Sequence, residues 1–114
     1  MSSSTIEADL VVRAAHAVVT EQRLSVTLVD GRTIVVPLEW FPRLVQGNPV
    51  EQARVEIGPF GLHWPDLDED ISIRSLLLGH RSGESVGSLR QWLEYRARGE
   101  KVPVQEYPLD NDII

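Results

Sequence analysis

The chain has 114 residues, of which 42% are hydrophobic and 25% are charged, a composition typical of a single soluble globular domain. Its formal net charge of −6 disfavours binding to nucleic acid phosphates, and the absence of cysteine excludes disulfides and thiolate metal sites. No apolar run is long enough to span a membrane, and residues 1–5 lack the basic start of a signal peptide, so we expect a cytoplasmic protein.

The first third of the chain predicts a three-stranded antiparallel meander. Residues 1–9 are polar and are expected to be loosely held, and a first strand is predicted within residues 11–19. Apolar and polar residues alternate over residues 24–28, as in a strand with one buried face. A two-residue Asp30-Gly31 turn then predicts a hairpin to a third strand over residues 33–38.

Short helices and a further hairpin are predicted next. Pro37 is expected to close the third strand, because proline cannot donate a hydrogen bond to a sheet ladder. A helical turn is predicted over residues 39–45, and the capping-box spacing of residues 48–51 begins a second short helix. Alternating apolar residues over 55–64, interrupted by a Gly-Pro turn, predict the hairpin.

The last third predicts two helices and a tail. Ser72 is the expected N-cap of a helix that ends at Gly79, and residues 80–87 are expected to form a polar linker. A capping box beginning at Ser88 predicts an amphipathic helix over about residues 88–98, before an extended acidic tail.

These elements predict an α+β fold. A small antiparallel sheet, built from the three-stranded meander and the further hairpin, packs with short helices in a core domain of residues 1–79. Residues 80–114 then supply the linker, the C-terminal helix and the tail.

Two sequence blocks suggest a family. They are Val36-Pro37-Leu38-Glu39-Trp40-Phe41-Pro42-Arg43-Leu44 and His63-Trp64-Pro65-Asp66-Leu67-Asp68-Glu69-Asp70-Ile71-Ser72, the second followed by Leu76-Leu77-Leu78-Gly79. Over about residues 12–79 the chain resembles the bacterial domain of unknown function numbered 2442. The resemblance implies a small α+β domain without established enzymatic activity, and an antitoxin-like or accessory role beside a small partner protein.

The spacing of three aspartates suggests calcium at first sight. Asp66, Asp68 and Asp70 match the first three ligands of a calcium-binding loop. The template fails at Ile71, where glycine is required, and at Leu77, where a bidentate glutamate is required. We therefore expect Asp66 to form local turn hydrogen bonds after Pro65, and the acids to place negative charge before the helix that begins at Ser72.

His63 lies close to these acids in the sequence, so a small metal-dependent enzyme is a second alternative function. We expect His63 instead on the outer face of a strand. No nucleophile elbow or phosphate-binding glycine loop is present. The sequence therefore predicts no catalytic residue, no metal and no cofactor, and a protein that is not an enzyme.

The leading hypothesis is a non-catalytic, antitoxin-like interaction module that binds and neutralises a small basic partner, such as a toxin, encoded nearby. Aromatic and apolar anchors and one arginine are the candidate partner-binding residues: Trp40, Trp92, Arg96, Tyr107, Leu109 and Ile113. The acidic tail is expected to order on binding, its apolar residues filling pockets while its carboxylates pair with cations.

Two further interactions stay open. A transcriptional regulator that contacts nucleic acid through the helix over residues 88–98 is the first alternative function, because residues 81–101 carry five basic and three acidic side chains. A homodimer formed through an exposed sheet edge is also compatible with the sequence.

Overall fold

The computed structural model describes residues 12–103, which divide between Gly83 and Glu84 into two units. The described part of the first unit holds two three-stranded antiparallel sheets and three short α-helices, and that of the second unit holds one longer helix, so the predicted α+β class is confirmed. The elements are β1 (Ala14–Val19), β2 (Arg23–Leu28), β3 (Thr33–Pro37), a 3-10 turn (Leu38–Trp40), α1 (Pro42–Gln46), α2 (Pro49–Ala53), β4 (Glu56–Ile57), β5 (Gly61–Trp64), β6 (Glu69–Ser72), α3 (Ile73–Leu78) and α4 (Val86–Ala97).

The predicted meander is confirmed as the first sheet, in the order β1-β2-β3. Leu24 lies opposite Val36, and Val26 lies opposite Ile34, so the apolar residues of neighbouring strands share one face. Leu24 and Val26 are completely buried. The period-two pattern therefore places the inner face of this sheet in the core.

The predicted two-residue turn between β2 and β3 is wrong. The loop has three residues, Val29, Asp30 and Gly31, and it is closed by hydrogen bonds from Leu28 N to Arg32 O at 2.8 Å and from Gly31 N to Leu28 O at 3.0 Å. A two-residue turn would have placed inward-facing residues of β2 opposite outward-facing residues of β3. Burial of the apolar face therefore sets the register, and Gly31 accommodates the loop at φ +97°.

An exposed ion pair closes the same loop. Arg32 donates from Nε to Asp30 Oδ2 at 2.8 Å, and its backbone N donates to Oδ1 at 3.0 Å. These hydrogen bonds, the side-chain bond first, lower the pKa of Asp30 below its ordinary value, because they favour the charged carboxylate.

The helical stretch predicted over residues 39–45 is broken into a 3-10 turn and α1. Phe41 separates them with φ −128° and ψ 86°, because a residue before proline is sterically excluded from the helical region. Pro42 then occupies the first position of α1. The predicted capping box of α2 is confirmed, with Glu51 N donating to Asn48 Oδ1 at 2.8 Å and Asn48 N donating to Glu51 Oε1 at 2.9 Å.

The predicted further hairpin is confirmed as β4 and β5, but the second sheet has a third strand, β6, that the sequence did not predict. Leu62 lies opposite Ile71, and Trp64 lies opposite Glu69. The segment Glu69-Asp70-Ile71-Ser72 has low intrinsic strand preference, and only Ile71 among the four is buried. Pairing with β5 therefore decides its conformation, and the turn is confined to residues 65–68, of which Asp68 is exposed and Leu67 is buried.

The ends of α3 agree with prediction. Ser75 N donates to Ser72 Oγ at 3.0 Å, and Gly79 adopts φ +75° after the last turn. In the second unit, the predicted capping box at Ser88 is wrong, because α4 begins one turn earlier with Ser85 as its N-cap, accepting from Ser88 N at 3.0 Å. Within residues 12–103, no helix combines the length and apolar character that crossing a bilayer requires.

The core of the first unit joins both sheets to the short helices. Its largest completely buried side chains come from β2, α1, β5, the turn before β6 and α3: Leu24, Val26, Leu28, Leu44, Leu62, Trp64, Leu67 and Ile73. Phe41 is also buried, and Trp64 is a core residue as expected. The first unit therefore draws its stability from contacts between elements that are too short to be stable alone.

Gly61 is predicted to be essential for the second sheet, because a Cβ there would lie 2.6 Å from the backbone O of Ile71. We expect Gly61→Ala to lower the free energy of unfolding by about 1–3 kcal/mol, since the sheet backbone must move apart. Gly58→Ala in the same hairpin is the matched control, because its Cβ would meet only Gly61 O at 3.8 Å. Urea denaturation of both variants measures the difference, and equal losses would contradict the prediction.

Candidate functional site

The acids of residues 66–70 do not converge on a common site. Each aspartate contacts a different cationic or titratable side chain: Asp66 with Arg54 at 3.4 Å, Asp68 with Arg43 at 3.3 Å and Asp70 with His63 Nδ1 at 2.8 Å. The local turn hydrogen bond expected of Asp66 is not found, because its carboxylate contacts Arg54 instead. Within residues 12–103, no group of three or more His, Cys, Asp or Glu side chains is placed to hold a metal ion.

His63 lies on the strand face expected for it. It sits in a row with Glu56 and Asp70 across the second sheet, whereas the neighbouring row contains the buried Leu62 and Ile71. His63 and Asp70 form a cross-strand pair on a partly exposed surface. This pair links β5 to β6 and contributes to the pairing that the sequence did not reveal.

Asp68 is the one non-glycine residue of the described chain with positive φ, at 51°. Arg43 of α1 spans the turn, donating from one guanidinium nitrogen to Asp68 O at 2.8 Å and to Oδ2 at 3.3 Å. Aspartate tolerates this left-handed conformation better than most residues. Asp68 therefore shapes the turn that brings β6 back beside β5.

Trp40, a predicted partner-binding residue, ends the 3-10 turn and is half-buried. The Arg81 guanidinium carbon lies 4.9 Å from the ring centroid of Trp40, within the range of a cation–π contact. Ser82 N also donates to Trp40 O at 3.0 Å. The structure thus uses Trp40 to hold the segment that follows α3.

Trp92 and Arg96, two more predicted residues, lie together on α4. Trp92 is buried, and the Arg96 guanidinium carbon lies 5.4 Å from its ring centroid. A second pair on the same helix places Arg98 4.6 Å from the centroid of Tyr95. The remaining predicted residues, Tyr107, Leu109 and Ile113, lie outside the residues that the structure describes.

An open groove beside β3 was not singled out from the sequence. We call it the β3 groove; it measures about 610 Å³ and is lined by the start of β2, the end of β3, the 3-10 turn and α1. Val35 of β3 and Val45 of α1 line it and are 52% and 45% exposed. An exposed apolar side chain from a strand and another from a helix therefore border the same opening.

Acidic side chains also line the β3 groove. Glu21 and Glu39 are exposed, and their carboxylates have no hydrogen-bond or ion-pair partner among residues 12–103, while Arg23 is the basic residue of the lining. One sequence signal points to this surface. The outward positions of β3 are threonine, valine and proline, so the solvent face of the strand carries no charge.

Comparison with known proteins agrees with the resemblance seen in the sequence. Residues 14–82 match the family model described as Protein of unknown function (DUF2442). A crystal structure of a protein of unknown function from Rhodospirillum rubrum ATCC 11170 is similar, with 31% identity and a TM-score of 0.56. The similarity covers 64% of this chain and 93% of that chain. No curated protein matches.

Replacement of Asp68 tests its role in the turn. We expect Asp68→Ala to lower the free energy of unfolding by about 1–2 kcal/mol, because alanine is strained in the left-handed conformation and lacks the carboxylate that pairs with Arg43. Asp68→Asn is the control, and it should cost less than about 0.5 kcal/mol because asparagine tolerates that conformation. Equal destabilisation by the two substitutions, measured in urea, would argue against this role.

Proposed function

This chain belongs to the DUF2442 family of proteins of unknown function, and we propose that it is a non-catalytic, antitoxin-like module that binds and neutralises a small basic protein encoded nearby. The observation that supports this proposal most is the β3 groove, with exposed Val35 and Val45 beside the unpartnered carboxylates of Glu21 and Glu39. Two carboxylates and one arginine give the lining a net negative charge beside apolar side chains, which favours a partner with apolar side chains and positive charge.

The distribution of charge along the chain supports a basic partner. Five of the 17 acidic residues, and none of the 11 basic ones, lie within residues 1–11 and 104–114. Residues 12–103 are therefore nearly balanced, and the acidic excess belongs to the two ends of the sequence. Such an excess raises the rate at which a basic protein encounters the molecule. Tyr107, Leu109 and Ile113 remain the proposed anchors of the tail.

The contacts of the acidic cluster favour a role that is not catalytic. General acid–base catalysis by carboxylates requires two groups in different environments, one of them poised to hold a proton. Asp66 and Asp68 each contact an arginine, and both are at least partly exposed. Their contacts tie the turn to α1 and to the end of α2, which is a structural task.

A charge reversal tests the groove. The double substitution Glu21→Lys and Glu39→Lys should lower the rate constant for association with the purified product of the adjacent gene by about tenfold, with a smaller effect on dissociation. Stopped-flow or surface plasmon resonance measurements at low and at physiological salt give both rate constants.

The matched control is Glu56→Lys together with Glu94→Lys, which makes the same change in net charge at two exposed positions outside the groove. A chain ending at Gly99 separates the tail from the groove. If the wild-type protein does not bind its neighbour, or if the control pair slows association as much as the groove pair, the groove is not the binding site.

A second candidate function, nucleic acid binding, is favoured by the two arginine–aromatic pairs on α4. Arg96 with Trp92 and Arg98 with Tyr95 place guanidinium groups against rings, an arrangement that also occurs where proteins stack on bases. This function predicts a gel shift of DNA or RNA at low salt that weakens steeply as salt rises, and that Arg96→Gln and Arg98→Gln reduce. No shift at low salt would reject it.

A further inference from the structure

β3 forms a free edge of the first sheet, and Val35, Val36 and Pro37 of this strand line the β3 groove. The hydrogen bonds Leu28 N to Arg32 O and Leu38 N to Gln22 O show that the backbone N–H and C=O groups of even-numbered residues along β3 point towards β2. The backbone groups of Thr33, Val35 and Pro37 therefore point away from β2, towards the open edge of the sheet.

The outward amides of this edge are available. Within residues 12–103, the N–H groups of Thr33 and Val35 have no backbone partner. Pro37 has no N–H to offer, and proline is tolerated on the outward side of an edge strand. An added strand would therefore find two donors at Thr33 and Val35, and only a carbonyl at Pro37.

α1 also borders the β3 groove. Val45 of α1 and Val35 of β3 both line it, so a helix and an edge strand border the same opening. Its volume of about 610 Å³ falls within the range of about 300–1,000 Å³ typical of ligand sites in proteins. This geometry suits an extended chain, because main-chain bonds form on one side and side-chain contacts form on the other.

We propose that the β3 groove binds an extended basic segment of the partner protein, which adds a fourth strand to the first sheet by pairing with β3. This inference rests on the proposed function and states how the partner is held. Thr33 and Val35 exchange main-chain hydrogen bonds with the segment. Apolar side chains of the segment contact Val35 and Val45, while its lysine or arginine side chains pair with Glu21 and Glu39.

Charge favours a basic segment over a second copy of the chain. A second copy carries the same net charge of −6, so its approach is opposed electrostatically. Glu21 and Glu39 outnumber the single Arg23 in the lining, so a cationic occupant gains an attraction that an acidic one lacks. Main-chain pairing supplies affinity that is independent of sequence, and the two carboxylates make the groove selective for basic side chains.

Val35→Pro tests main-chain pairing, because it removes one outward N–H and leaves the bonds between β3 and β2 in place. With the full chain and the purified product of the adjacent gene, we expect the Kd to rise at least about tenfold. Val35→Thr retains the N–H and the β-branched shape, and it should change the Kd less than about threefold. Thermal unfolding of each variant establishes that it is folded.

Amide hydrogen exchange of the wild-type protein gives a second measurement that needs no substitution. Binding should slow exchange of the Thr33 and Val35 amides at least about tenfold. Val50, exposed in the first turn of α2, is the reference amide, and its exchange should not change. This measurement decides the question if Val35→Pro does not fold.

The outcomes separate the two proposals. If the wild-type chain does not bind its neighbour, both the proposed function and strand addition are overturned. If it binds, but Val35→Pro binds equally well and the two amides gain no protection, strand addition alone is overturned. If sedimentation shows a wild-type dimer that Val35→Pro converts to a monomer, a second copy occupies the edge, and the basic segment is rejected as its occupant.

Discussion

In the first unit, the packing of β5 against the two short helices α1 and α2 depends on a hydrogen bond from the buried indole ring of Trp64. Trp64 is completely buried, and its indole Nε1 donates to Gln52 O at 3.0 Å. The side chain of Gln52 in turn donates from Nε2 to Leu44 O at 2.8 Å. This chain of two bonds ties β5 to α2 and α2 to α1, three short elements within residues 42–64. Loss of the indole would leave a carbonyl without its donor, at a cost of about 1–3 kcal/mol.

The same constraint positions the β3 groove. α1 has five residues and is too short to be stable alone, so it is held by burial of Phe41 and Leu44 and by the bond from Gln52. Val45 is the next residue after the buried Leu44, so the packing of Leu44 in the core sets the position of Val45 in the groove lining. A groove wall held by the core in this way needs no ordering on binding, which reduces the entropy lost when a partner binds.

The features predicted correctly from the sequence are those that depend on interactions between residues close together in the chain. Alternation over residues 24–28, the cap at Ser72 and the capping box at Asn48 depend on local chemistry, and each is found as predicted. β6 was missed because its strand conformation comes from pairing with β5, and the β2–β3 turn was mispredicted because burial sets the register. The groove was missed for the same reason, since Val35 and Val45 meet only in the folded chain.

The two groups of carboxylates have different relations to folding. Asp66 and Asp68 are engaged by arginines within the first unit, so their charge contributes to the turn that sets β6 beside β5. Glu21 and Glu39 have no such partner among the described residues, and in the free protein water solvates them. Pairing them with a basic segment therefore replaces no contact of the folded chain.

The backbone amides of Thr33 and Val35 at the edge of β3 also lack a backbone partner within residues 12–103. When they bind a partner's carbonyl groups they give up hydrogen bonds to water, and the hydrogen bonds between β3 and β2 stay intact. A domain with a firmly bonded interior and an unbonded edge can thus bind another protein without loosening its own fold.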